Sequence, residues 1–193
     1  GGAVASFGRR LGWPDDFFRV MWSAKYMQKE YEGSQDDIDK YIGGLQKTRG
    51  ISFAQVLSRD SRNRAEFPTN GSTFILENTY SGGFLGGNEN FQKHMLTLDW
   101  FTPTFSKFIL YNSVKLGVIK TIDVGDDGQS FVPFDERFIM GGNGIPYGNP
   151  LRGYDDNRVG PVTFSGNPIG GNAMIKFGSE FRVPFAENPV VYG

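Results

Sequence analysis

Ile169-Gly-Gly-Asn-Ala-Met-Ile-Lys-Phe-Gly-Ser-Glu-Phe-Arg-Val-Pro-Phe185 is the stretch whose reading decides the fold. Its apolar residues recur at every second position. Ala173, Ile175, Phe177, Phe181, Val183 and Phe185 share one parity; Met174, Lys176, Gly178, Glu180 and Arg182 share the other. Successive side chains of a β-strand face opposite sides. The stretch therefore predicts a strand with one oily face and one charged face. Upstream lie Pro133-Phe-Asp-Glu-Arg-Phe-Ile-Met-Gly-Gly142 and then Leu151-Arg152-Gly153-Tyr154. A long glycine-rich loop thus leads into the strand and carries one arginine between Leu151 and Gly153.

Working outward, the same alternation predicts six earlier strands. They fall at about Gly2–Leu11, Phe17–Tyr31, Tyr41–Ser58, Ser72–Ser81, Phe91–Phe101 and Phe108–Ile122. The third is blurred by Gly43-Gly44, and its clearer part is Gly50–Asp60. Phe18, Val20, Trp22, Ala24 and Tyr26 share a face, as do Phe74, Leu76 and Tyr80, then Leu96, Leu98 and Trp100, then Phe108, Leu110, Val114, Leu116 and Val118. Connections alternate between shorter, proline-bearing turns (13–16, 61–71, 102–107) and longer glycine-rich or acidic loops (32–40, 81–90, 123–170). That alternation marks an up-and-down meander with one elaborated end. The loop Asp123–Gly170 far exceeds the roughly 12–15 residues beyond which loops are usually functional or disordered. Strands of this length exceed the usual five or six residues, and about 9–11 suffice to cross a bilayer when tilted.

Bulk properties agree. The chain has 193 residues, 27 glycines, 18 phenylalanines and 8 tyrosines, a composition that favours an all-β fold. Its net charge of −1 gives no basic footprint for nucleic acid. With no cysteine, disulfides, thiolate metal sites and cysteine nucleophiles are excluded. Mean hydropathy is −0.37, and no apolar run is long enough for a transmembrane helix. A barrel strand is apolar only at alternate positions, so this leaves a membrane barrel open. The opening Gly1-Gly-Ala-Val-Ala and the closing Val190-Val-Tyr-Gly193 read as an internal fragment.

Five motifs, taken in order, resemble the barrel of the BamA-type outer-membrane assembly family in the POTRA-barrel superfamily. They are Arg9-Arg-Leu-Gly-Trp-Pro-Asp-Asp-Phe-Phe18; Ser61-Arg-Asn63 with Phe67-Pro-Thr-Asn-Gly71; Phe134–Gly142; Leu151-Arg152-Gly153-Tyr154; and Gly170-Gly171-Asn172-Ala173 with Glu180. The resemblance implies an all-β antiparallel meander. About seven strands of a sixteen-stranded transmembrane β-barrel would be present, with the long extracellular loop folded into the lumen. POTRA domains and the first and last strands would be absent from residues 1–193. It implies a non-enzymatic assembly factor of the bacterial outer membrane, with no cofactor and no metal. Its partners would be outer-membrane lipids, nascent β-barrel proteins and accessory assembly lipoproteins, with no nucleic acid.

The resemblance also implies site residues. Arg152 would fold into the barrel and meet Glu180, whose parity puts it on the polar face. Such a pair fixes geometry as well as charge and would brace the loop from within. Gly153 would allow a close backbone approach, and Tyr154 would pack while keeping a hydrogen bond. Gly141, Gly142, Gly170 and Gly171 would be hinges where the loop leaves and re-enters the wall. Trp22, Tyr80, Trp100 and Phe185 would form interfacial girdles. His94, the one histidine, has no metal partner at a useful spacing and reads as an interfacial or loop-edge residue. The acidic stretch at 123–128 does not carry the ligand spacing of a calcium loop. Two other readings stay open: a polypeptide-secreting transporter of the same superfamily, and a soluble β-sandwich binding module.

Overall fold

A computed structural model describes residues 1–33, 46–123, 132–145, 148–187 and 190–192, the last two strands by backbone alone. Seven strands form one sheet: β1 (Gly2–Arg10), β2 (Phe18–Glu30), β3 (Lys47–Asp60), β4 (Gly71–Ser81), β5 (Phe91–Pro103), β6 (Ile109–Thr121) and β7 (Ala173–Arg182). Each pairs with the next in chain order, and every pairing is antiparallel. The expected start of the third strand, the loop at 34–39 and the acidic stretch at 124–128 lie outside the described residues. So does the side chain of Phe185.

Register carries the two-faced pattern from strand to strand. Leu57 pairs with Leu76, Leu76 with Leu96, Leu96 with Leu116, and Leu116 with Ile175, an unbroken apolar row across five strands. This face stays open: Ile175 is 78% exposed and Phe177 64%. A sandwich would bury such a row against a second sheet, so the openness argues against the soluble module and fits a wall facing lipid. Trp22 and Tyr80 stand on this outer face, where Trp22 stacks on Phe7 at 6.1 Å and Tyr80 meets Phe84 at 5.8 Å. His94 also faces outward, with Nδ1 2.8 Å from the Asn78 side-chain oxygen.

The seventh strand is shorter than Ile169–Phe185. Its ladder with β6 runs only from Ala173 to Arg182. Upstream, Gly170 has a positive φ of 73° and Gly171 bridges Phe138, so this stretch serves the loop. Downstream, Pro184 has no N–H to give a ladder. There β8 (Pro184–Glu187) pairs with β9 (Val190–Tyr192) as a separate two-stranded sheet.

The proline-bearing turns knit one end of the wall. The Asn63 side-chain oxygen accepts the N–H groups of Thr69 and Asn70, at 3.1 and 3.2 Å, closing the 61–71 turn. Arg59 reaches across to Asp15 in the neighbouring turn at 2.8 Å. At the other end lie the connections 82–90 and 122–172, and the described residues 132–145 and 148–172 of the latter return over the inner face of the sheet.

Candidate functional site

The core of the molecule lies between that loop and the wall. Phe91, Ile119 and Met174 from the strands and Val132 and Phe138 from the loop form one buried cluster, with Met95 and Met140 packed against it. Register puts Gly117 on the inner face opposite Met174. The Phe138 ring sits so close over Gly117 that any Cβ there would collide with it. Glycine makes the seat, and Phe138 is only 4% exposed in it. Lys93 from β5 lies 5.3 Å from the ring centroid, within cation–π range.

Lysines of the inner face clamp the loop. A short 3-10 turn, Phe134–Glu136, presents two adjacent carboxylates. Asp135 takes the ammonium of Lys29 on β2 at 2.9 Å, and Glu136 takes that of Lys93 on β5 at 2.9 Å. Further along, Lys115 and Lys176 stand directly opposite each other on β6 and β7. Like charges in that position repel. The loop supplies an oxygen to each: the Asn149 side chain accepts from Lys115 at 3.0 Å, and the Pro150 carbonyl from Lys176 at 2.5 Å. Asn149 is itself buried, and its amide donates to the Ile139 carbonyl at 3.3 Å. Arg137 ties the loop's two ends, donating to the carbonyls of Val132 at 3.2 Å and Ile169 at 3.3 Å. Burial pulls its guanidinium below the usual arginine range.

Short bridges give the loop its own scaffold: Phe138 with Gly171, Met140 with Val159, Gly142 with Leu151, and Val162 with Pro168. Gly141 and Gly142 are not at the exit from the wall, as the hinge expectation had it. They lie in the middle of the loop, where the chain doubles back on the Leu151–Tyr154 motif. Gly142 has φ of 47°, donates to the Tyr154 carbonyl at 3.0 Å and accepts from Leu151 at 3.1 Å. A Cβ at Gly142 would overlap the Asp156 carboxylate. Gly170 and Gly171 do sit at the re-entry to β7. Tyr154 departs from expectation: its side chain is 58% exposed rather than packed, and its backbone carbonyl makes the link to Gly142. Gly153 has φ of 83° with open space around it.

Arg152 and Glu180 are near each other. Nη1 of Arg152 lies 3.6 Å from Oε1 of Glu180, but the Arg152 side chain is 92% exposed. That separation is an ion pair too long for a hydrogen bond. Glu180 has a closer partner that sequence reading missed. Arg182 donates through Nε and Nη2 to Oε2 of Glu180, at 2.9 and 2.7 Å. The Arg182 guanidinium lies 3.9 Å over the Tyr111 ring. The Tyr111 hydroxyl donates to Asp99 at 2.9 Å, and Asp99 also accepts from Thr73 at 3.0 Å. A polar tract thus crosses the inner face from β4 to β7 and ends at the loop tip. Among the described residues no cluster of His, Asp and Glu could hold a metal ion.

The model of the Omp85 superfamily domain matches residues 1–192. Among curated proteins, the chain is 28% identical over 161 residues to the outer membrane protein assembly factor BamA of Nitratidesulfovibrio vulgaris. That alignment covers 82% of this chain but 19% of the relative, so the chain spans about a fifth of that protein's length. The crystal structure of BamA from Haemophilus ducreyi lacking POTRA domains 1–3 is similar in fold, with a TM-score of 0.72 at 19% identity, over 95% of this chain and 37% of that one. The match over nearly its whole length shows that this chain belongs to the Omp85 superfamily, its seven-stranded sheet being a stretch of bacterial outer-membrane barrel wall.

Proposed function

We propose that this chain is the loop-bearing wall of an outer-membrane protein assembly factor, which helps nascent β-barrel proteins fold into the bacterial outer membrane. The observation that carries the reading is the loop seated on the inner face through Phe138 and the lysine clamps. Likeness to a relative named as an assembly factor supports it. The work would be done without covalent chemistry. Unpaired backbone in hydrocarbon costs several kcal/mol per group, so a wall that offers strand edges and a disturbed bilayer lowers the barrier for an incoming strand. In the whole protein, further strands would close a sixteen-stranded barrel and POTRA domains would face the periplasm. Membrane lipids line the oily face, nascent barrels are the clients, and accessory lipoproteins assist.

Within this reading, Leu151, Arg152, Gly153 and Tyr154 form the tip of the internal loop, and the Arg152–Glu180 pair links that tip to the wall. The test is Arg152→Ala and Glu180→Gln in the full-length protein. Both variants should lower outer-membrane protein levels in cells that depend on them and speed cleavage of the loop by added protease. Normal levels with unchanged protease resistance would overturn the reading.

A further inference from the structure

We propose that Arg182 competes with Arg152 for Glu180 and so sets how firmly the loop tip is held. The inference rests on the reading above, that the Arg152–Glu180 pair links tip to wall. One carboxylate faces two guanidinium groups. Oε2 accepts both bonds from Arg182, and Oε1 alone is left to Arg152, at 3.6 Å. Charge-assisted hydrogen bonds are the strong kind, whereas exposed ion pairs beyond hydrogen-bond reach are weak and screened. Arg182 therefore holds the larger share of the carboxylate.

Arg182 is also the better placed of the two. Its guanidinium stacks on Tyr111 at 3.9 Å and lies 5.7 Å from the Phe101 ring centroid. Tyr111 is in turn held by Asp99. A planar cation stacked on a ring loses little further freedom when it binds. Arg152 has no such support: Gly153 beside it is in open space, and its own side chain is 92% exposed. The two cations repel each other across the shared carboxylate. Glu180 stands between Arg182 and Arg152, so removing Arg182 leaves its carboxylate to the loop arginine. The tip link is weak by construction, and Arg182 is what keeps it weak.

The experiment measures chymotrypsin cleavage after Tyr154 in the full-length protein, reconstituted in lipid nanodiscs. Folded barrel is selected by its heat-modifiable migration on gels. Arg182→Met should slow cleavage by about threefold to tenfold, the scale of an exposed ion pair strengthened. Arg182→Lys keeps the charge but loses the fork, so it should fall between wild type and Arg182→Met. Glu180→Gln should erase the difference in either background. Faster cleavage in Arg182→Met would overturn the proposal, because Arg182 would then orient Glu180 for Arg152. So would an unchanged rate while Arg152→Ala speeds cleavage, which leaves the tip link standing. If Arg152→Ala and Glu180→Gln both leave the rate unchanged, the tip link and the competition fall together. If Arg182→Met does not fold, Arg182→Lys decides: slower cleavage is expected, and an unchanged rate overturns it.

Discussion

The base and the tip of the internal loop are held by different physics. At the base, Phe138 is 4% exposed over a glycine seat, with two lysine–carboxylate pairs beside it. At the tip, Arg152 is 92% exposed and makes one 3.6 Å contact. Hydrophobic burial is non-directional, scales with area and is not screened by salt. An exposed ion pair is worth at most about 1 kcal/mol and fades as salt rises. The difference teaches that a docked loop need not be docked uniformly. Its base belongs to the folded core, while its tip rests on the wall through a far weaker bond.

The sharpest way to break this contrast is Phe138→Ala in the full-length protein. Deleting a buried aromatic costs about 3–5 kcal/mol, so the thermal midpoint should fall and the whole loop should become protease-sensitive. A midpoint unchanged within error would mean the base is no firmer than the tip. Gly142→Val comes next. It forces a β-branched residue to a positive φ and against Asp156, at a cost of about 1–3 kcal/mol. Loop cleavage should rise while the strands stay folded, read as unchanged far-ultraviolet circular dichroism.

The joint change Lys115→Met with Lys176→Met has a smaller and more telling effect. It removes two hydrogen bonds to the loop but also a like-charge pair, so the net loss should be about 1 kcal/mol. The single variants should each cost less than half of the double, because either one alone relieves the whole repulsion while orphaning only one loop oxygen. Strict additivity in this cycle would sink the idea that the pair is coupled. Smallest is Arg152→Ala, which should cost less than about 1 kcal/mol in global stability. Its effect should be confined to the tip and should vanish at high salt.

The wall was readable from residue parity alone. Strands β2, β4, β5 and β6 fall where alternation puts them, and the residues it assigns to the oily faces, Leu76, Leu96, Leu116 and Ile175, line up as one row through register. The proximity of Arg152 to Glu180 was also within reach, since parity put Glu180 on the inner face and resemblance supplied its partner. The loop's true anchors were not. Lys29 meets a carboxylate 106 residues away, and nothing in its own strand distinguishes it from Lys25. Phe138 and Gly117 look like an ordinary loop aromatic and a weak strand residue until they are superposed. Arg182 was counted as one more polar-face residue, though it lies two positions from Glu180 on the same face and so within its reach. That spacing was a signal and could have been used. Tyr154 misled because aromatic side chains in loops usually pack, whereas here its backbone does the holding.

The turn Phe134–Glu136 has a consequence for the wall. Its adjacent carboxylates hold Lys29 on β2 and Lys93 on β5. Those strands are three places apart, about 14 Å along a flat sheet at the usual strand spacing. Two neighbouring residues reach both because long lysine stems lean towards the turn from either side. The turn therefore works as a bowstring across an arc, tying two strands that share no ladder with each other.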